Sequence, residues 1–379
     1  MVIRSHDGTR ASDAWREFLR RLESAGAVLD RESTPRDDLT QAEGLRKLVR
    51  LVRIGFEATL EYADVTHPTV YPSVTPTTLG EGETSDARYH QAFLDGSRTY
   101  RLTGRRGDAP LVEFTTYTGK IGLDEHSRRI GFLTERELAV EPDGTYEIVL
   151  GPDPHPKNWL RTTSDTKLLY IRQYAHDWPN TRGATFEMRQ EGVTGPPAPL
   201  RRADVERALD RTAAYVERAA HAWAAIVDGQ ARREPNRFYV FPEQDEADSP
   251  EMPAGHRFAS GYFRLAPGEA LVVELRPADV PYWGVDVTNY WFEPLSYGEH
   301  RSHVNNRTAR FEPDGRVRIA IGPNQVSTPN WIDTAGHTQG VMLFRWSRTR
   351  EPIPELSTRI ATVGELRSVG RPDSRGGIR

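Results

Sequence analysis

Tyrosine, histidine, aspartate and arginine recur beside the short apolar runs of this sequence, and these residue types do acid–base and charge-stabilising work near neutral pH. Histidine is the side chain whose ordinary pKa falls in that range, and the chain has eleven. The tightest set is EHRSH, with Glu299, His300 and His303. A His-x-x-His pair ligates a metal when a helix sets both rings on one face, but this stretch reads as a loop between strands. The cupin spacing, HExxH, the phosphate-cradling glycine loops and the Gly-x-Ser-x-Gly elbow are all absent. The expectation is therefore no metal and no cofactor, with a metal on His300 and His303 kept as an alternative.

The segment IRQYAHDW (171–178) sets Arg172 and Tyr174 on one strand face, with His176 and Asp177 just beyond. An arginine at a strand end can clamp a carboxylate or phosphate, although a matching Arg345 later in the chain argues for a shared structural role. In YWGVDVTNYWF (282–292), alternation puts Trp283, Val285, Val287, Asn289 and Trp291 on one face, and Tyr282, Asp286, Thr288 and Tyr290 on the other. An amide such as Asn289 among apolar neighbours must find hydrogen-bond partners, from the fold or from a ligand. Trp159, Trp178, Trp283, Trp291, Trp331 and Trp346 either line a pocket for a sugar or flat apolar ligand or pack the core. The candidate catalytic residues are Asp333, His303, Tyr89 and Arg172; the candidate substrate contacts are Asn289, Tyr282, Trp291 and Tyr174.

These side chains need a scaffold, and the pattern predicts one. Residues 12–29 read as a helix capped by Ser12 and ended by Gly26, with Trp15, Phe18, Leu19 and Leu22 on one face. A second helix starts at Thr40, where Thr40 and Glu43 form a capping-box pattern. A third, long and amphipathic, runs over 201–228. Between and after them lie short apolar runs punctuated by Pro and Gly, the pattern of β-rich modules.

The two β-rich regions repeat each other. EPDGTYEIVLGP (141–152) matches EPDGRVRIAIGP (312–323), NWLRT (158–162) matches NWIDT (330–334), and Arg172 falls against Arg345. Upstream, YRLTG (100–104) is set against FRLAPG (263–268), and LVEF (111–114) against VVEL (272–275). Order and near-constant spacing mark a duplication, which predicts two tandem antiparallel β-sandwich or jelly-roll-like modules in a mainly β chain with accessory helices. The expected organisation is an N-terminal helical segment (1–61), a first module (62–195), a connecting helix (196–235), a second module (236–350) and a partly disordered tail (351–379). The doubled Asn-Trp turn then serves the shared fold. Where the copies differ, Arg161 against Asp333, the residue to test is Asp333.

Bulk properties exclude several function classes. The chain of 379 residues carries a net charge of −4 with no sustained basic stretch, so no nucleic-acid partner is expected. It has no cysteine, which excludes disulfides, thiolate catalysis and Cys-ligated metals. The first residues lack the apolar core of a signal peptide, no run is long enough for a membrane span, and the expected location is cytoplasmic. Only Lys47, Lys120, Lys157 and Lys167 are lysines, a bias of GC-rich codon usage as in actinobacteria.

The ordered set AEGLRKLVRLVR (42–53), RTYRLTGRRG (98–107), NWLRT, RQYAHDW, YWGVDVTNYW, NWIDTAG and LFRW resembles the domain of unknown function 1214 family, which often occurs with domain of unknown function 1254. The resemblance spans about residues 12–346, implies paired β-sandwich domains with accessory helices, and brings no settled reaction. Family members often show Asn-Pro-Asp-Asn and then Tyr before a strand. Here SDARYHQAF keeps Asp86 and Tyr89 but changes the Asn and Pro positions. The resulting expectation is an enzyme, metal-independent, acting on a small organic molecule by lyase, cyclase or hydrolase chemistry in an aromatic pocket; a homodimer fits it. A non-catalytic carbohydrate- or metabolite-binding protein is the competing reading, and a His-ligated metalloenzyme the third.

Overall fold

The computed structural model describes residues 10–79, 82–241, 255–295 and 300–368. The acidic loop at 242–253, Glu299 and the chain after 368 lie outside them. Helix α1 (Ala11–Ala25) runs on as a 3₁₀ turn (Gly26–Asp30). Its N-cap is Arg10, whose backbone N–H donates to Asp13, so Ser12 sits inside the first turn and not at the cap. Helix α2 (Asp38–Phe56) likewise starts earlier than Thr40: the Asp37 carboxylate accepts from the Thr40 N–H at 2.9 Å, and Glu43 pairs with Arg46 instead of closing a capping box. A carboxylate at the position immediately before the helix is the stronger cap because it also meets the helix dipole. Helix α3 (Arg202–Ala231) fulfils the long amphipathic pattern. Among the described residues no helix is long and apolar enough to cross a membrane.

The first copy of the repeat holds β1 (Tyr71–Pro72), β2 (Ala87–Phe93), β3 (Tyr100–Arg105), β4 (Leu111–Tyr117), β5 (Arg129–Thr134), β6 (Thr145–Gly151), β7 (Trp159–Arg161), β8 (Leu168–Tyr174) and β9 (Glu187–Gln190). The second holds β10 (Tyr239–Val240), β11 (His256–Arg264), β12 (Glu269–Leu275), β13 (Tyr282–Val287), β14 (His303–Asn305), β15 (Val317–Gly322), β16 (Trp331–Asp333), β17 (Gln339–Ser347) and β18 (Ser357–Thr362). Each copy builds a five-stranded and a four-stranded sheet, in the orders β1-β2-β8-β4-β5 and β7-β6-β3-β9, then β10-β11-β17-β13-β14 and β16-β15-β12-β18. The two orders are the same strand for strand. The duplication is therefore structural, and the fold is mainly β with accessory helices.

Three sequence expectations need correction. Neither copy is wholly antiparallel, because β6–β7 and β15–β16 run parallel. The equivalences drawn upstream also fail: YRLTG forms β3, whose counterpart is β12 and not the end of β11, and LVEF belongs to β4, whose counterpart is β13. Short alternating apolar runs look alike, so only hydrogen-bond order separates them. Finally, the second copy reaches past residue 350, because β18 pairs along β12 as an edge strand and leads into α4 (Val363–Ser368).

By their contacts the residues form two units: 1–78, 89–172 and 183–222 in the first, and 79–88, 173–182 and 223–379 in the second. In the first, Phe18 of α1 packs on Leu209 and Ala213 of α3, and Arg21 bridges Asp210 and Glu217 at 2.6 and 2.8 Å. In the second, one apolar core joins Trp283, Val285, Phe344 and Trp346 of the larger sheet to Leu271, Val273, Ile319 and Ile321 of the smaller one.

The doubled Asn-Trp turn does the same work in both copies. Asn158 accepts from the Ala139 N–H and donates to the carbonyls of Ala139 and Glu147; Asn330 accepts from the Arg310 N–H and donates to those of Arg310 and Arg318. The indoles of Trp159 and Trp331 donate to Gly151 and Gly322, each at 3.0 Å. Removing one such amide strands buried backbone groups, so Asn330→Ala should destabilise the protein by about 2 kcal/mol in urea unfolding. A loss under about 0.5 kcal/mol would mean that the side chain does not brace the turn.

Candidate functional site

Register places a polar set on one face of the larger sheet of the second unit. In the pairing of β13 with β14, Gly284 lies opposite Asn305 and Asp286 opposite His303; on β13's other side Gly284 lies opposite Arg345. Alternation then directs Tyr282, Asp286, His303, Asn305 and Arg345 away from the apolar core that holds Trp283, Val285 and Phe344. Segment 79–88 belongs to the same unit and brings Gly82, Thr84, Ser85 and Asp86 to these side chains.

Two buried carboxylates organise the cluster. Asp86 accepts from the Tyr282 hydroxyl at 2.9 Å and from the Asn305 amide at 2.9 and 3.0 Å, and lies 3.1 Å from His303 Nε2. Asp286 accepts from the Thr84 hydroxyl at 3.0 Å, the Ser85 N–H at 3.2 Å and the Arg345 guanidinium at 2.7 Å. Arg345 also donates to the Gly82 carbonyl. Gly284 is a glycine for a reason: a Cβ there would fall 2.6 Å from the Tyr282 oxygen.

The electrostatics differ from ring to ring. Burial holds the Tyr282 phenol well above its ordinary pKa of 10.0, and the charges of Asp86 and Asp286 push the same way, so it remains a proton donor. For His303, burial disfavours the imidazolium, but the hydrogen bond and charge of Asp86, with the charge of Asp286, outweigh it and raise the pKa above 6.5. Nδ1 of His303 makes no hydrogen bond among the described residues. Burial lowers the pKa of His176, and the Asp86 charge and an Asn306 bond only partly offset it. Its Nε2 lies 2.9 Å from Asn306 Oδ1 and its ring 5.9 Å from that of Tyr282. Asn306 in turn lines a groove of about 660 Å³ with Val280, Pro281, Trp283 and Phe311.

The residues named from sequence scatter around this arrangement. His303 and Tyr282 meet at Asp86, and the Tyr174 ring lies 5.1 Å from that of Tyr282. Asp333 pairs instead with His300, 2.8 Å from its Nδ1, and caps Ala335 N–H in a turn. The imidazoles of His300 and His303 thus go to different carboxylates and do not form a joint ligand pair. Strand β13 stops at Val287, which corrects the alternation drawn through 292. Beyond it, Asn289 accepts from the N–H groups of Trp291 and Glu293, and the Trp291 ring packs edge-on to Tyr290. Tyr89 and Arg172 group with the first unit, both beside the Tyr170 ring. Asp86, Asp286, Asn305 and Arg345 are the members that sequence reasoning did not select. Asp86 had a signal, its retention in the altered SDARY stretch.

Only one copy of the repeat carries this set. The pairing of β4 with β5 sets Glu113 opposite Thr134 and Thr115 opposite Phe132, the register of Gly284 with Asn305 and Asp286 with His303. The first copy therefore has Thr115, Phe132 and Thr134 where the second has Asp286, His303 and Asn305.

A family model described as a protein of unknown function (DUF1214) matches residues 83–177 and 269–350, stretches that hold Asp86 and His176, and then Tyr282, Asp286, His303, Asn305 and Arg345. The solved structure of an uncharacterized protein from Burkholderia cenocepacia is 31% identical, with a TM-score of 0.88 over 94% of this chain and 100% of that one. The chain belongs to the DUF1214 family. The VPA0106 protein from Vibrio parahaemolyticus is 11% identical over 89% of this chain and 99% of that one, with a TM-score of 0.46. No curated protein matches. The Asp86–Asp286 cluster lies within the DUF1214 stretches.

Proposed function

We propose that this DUF1214 protein is a cytoplasmic, cofactor-independent enzyme that acts on a small organic molecule by acid–base catalysis at the Asp86 network. The observation that carries the reading is the buried Asp86 carboxylate, which gathers Tyr282, Asn305 and His303 while His176 lies close by. Two imidazoles whose pKa values move in opposite directions can hold one as the acid and the other as the base at the same pH. In this assignment His303 is the acid. Asp86 fixes its Nε2–H and stabilises its charge, and the buried Nδ1, which makes no hydrogen bond among the described residues, is the position left to give up a proton. His176, held neutral by burial, is the base. Asn306 orients its ring and borders the groove through which substrate would approach. Lyase, cyclase and hydrolase steps all draw on such a pair.

The test is untargeted. Wild-type protein and His303→Gln are each incubated with a bacterial small-metabolite extract, and metabolites consumed are followed by mass spectrometry. The expected result is at least one metabolite converted by the wild type and about 10²–10⁴-fold more slowly by the variant. Conversion at the same rate by a folded His303→Gln variant, or by neither protein, would sink the assignment.

A further inference from the structure

The groove of about 660 Å³ on the second unit carries one cation and one anion, Arg307 and Asp279. Both residues are exposed, and among the described residues neither side chain forms a hydrogen bond or an ion pair, with each other or with anything else. A second groove, of about 580 Å³ on the first unit, is different. There Lys157 pairs with Glu141 at 2.5 Å and Arg105 donates to the Asp143 carbonyl at 2.9 Å, so its charges are already engaged. Apolar surface completes the groove of the second unit: Phe311 is 51% exposed at it and Pro281 half-buried, while Val280 and Trp283, which also border it, are buried. An aromatic ring left half in water beside two unengaged opposite charges is an amphiphilic surface with both signs available.

We propose that this groove binds a small zwitterion with an apolar side chain, of the α-amino acid class. Arg307 takes the carboxylate in its planar fork, Asp279 takes the ammonium group, and the hydrocarbon part packs on Phe311 and Pro281. A ligand with one charge would leave the opposite wall charge unmatched. As a binding site the groove stands alone; as a substrate site it rests on the proposed function, because Asn306 is the residue that joins it to His176.

Calorimetric titration of the full chain with L-phenylalanine, phenylacetate and phenethylamine tests the inference, since the three probes share a ring and differ in charge. Phenylalanine should bind at least about tenfold more tightly than either single-charge analogue. Arg307→Ala should abolish that advantage over phenethylamine while leaving phenethylamine binding unchanged; Asp279→Asn should do the same relative to phenylacetate. Both side chains are exposed, so the variants should fold. No binding of phenylalanine, equal binding of all three probes, or variants that bind as the wild type does would each overturn the site. Phenylalanine bound equally by wild type and His303→Gln, with no turnover of any amino acid by the wild type, supports the binding site and counts against the catalytic reading alone.

Discussion

Replacing Arg345 by methionine should destabilise the protein by about 3–5 kcal/mol, read from urea unfolding near neutral pH. The guanidinium and the Asp286 carboxylate are both almost fully buried, with side-chain exposures of 5% and 2% at a separation of 2.7 Å. Methionine keeps much of the volume but removes the bonded cation, leaving the Thr84 hydroxyl and Ser85 N–H as the hydrogen-bond donors to Asp286 among the described residues. Asp286→Asn should destabilise by a similar amount because it strands the cation, and the double variant Arg345→Met, Asp286→Leu should recover much of the loss. A single-variant loss below about 1 kcal/mol, with additive behaviour in the double variant, would show that the pair behaves as an exposed one.

The contrast between Arg345 and Asn330 shows what a sequence of this kind discloses. Asn330 and its copy Asn158 were legible because a turn is local: the amide, its indole neighbour and the strands they brace lie within some twenty residues, and duplication wrote the device twice. Arg345 was legible only as half of a pair with Arg172, and so as a structural residue. Its partners are far away in the chain, and nothing in the spacing of segment 79–88 says that Gly82, Thr84 and Asp86 will meet β13 and β17. Alternation along 282–287 did sort the faces correctly, with Trp283 and Val285 in the core and Tyr282 and Asp286 opposite. It failed beyond Val287, where the chain turns and Phe292 takes a positive φ of 62°, so that Asn289 belongs to a turn. The cluster was hidden for the same reason that it is specific. It is built from divergence between the copies, and a search for likeness passes over the positions where Asp286, His303 and Asn305 replace Thr115, Phe132 and Thr134.

Turnover of the groove's substrate should follow a bell-shaped pH profile that spans 6.5, with its acid limb set by His176 and its alkaline limb by His303. His176 acts as the base only when neutral, and its pKa is lowered, so activity is lost only as pH drops below 6.5. His303 acts as the acid only when protonated, and its pKa is raised, so activity survives past 6.5 before it falls. Stability carries the same two signs. The His303 contribution is complete below 6.5, where the unfolded imidazole is also charged, and is lost as pH rises through its folded pKa. The His176 contribution is complete above 6.5 and is lost as pH falls toward its folded pKa. Asp86 acts on both rings, with Asp286 and Arg301 also acting on His303 and Arg307 on His176, so the two limbs are coupled through one carboxylate. Asp86→Asn should therefore lower the alkaline limb most, since the hydrogen bond and charge of Asp86 are what raise His303. Following the ring proton shifts of both histidines by NMR from pH 5 to pH 9 measures the two pKa values without a substrate. The acid–base assignment fails if the order is inverted, with His176 titrating above His303, because no pH would then hold His303 charged and His176 neutral as the major state.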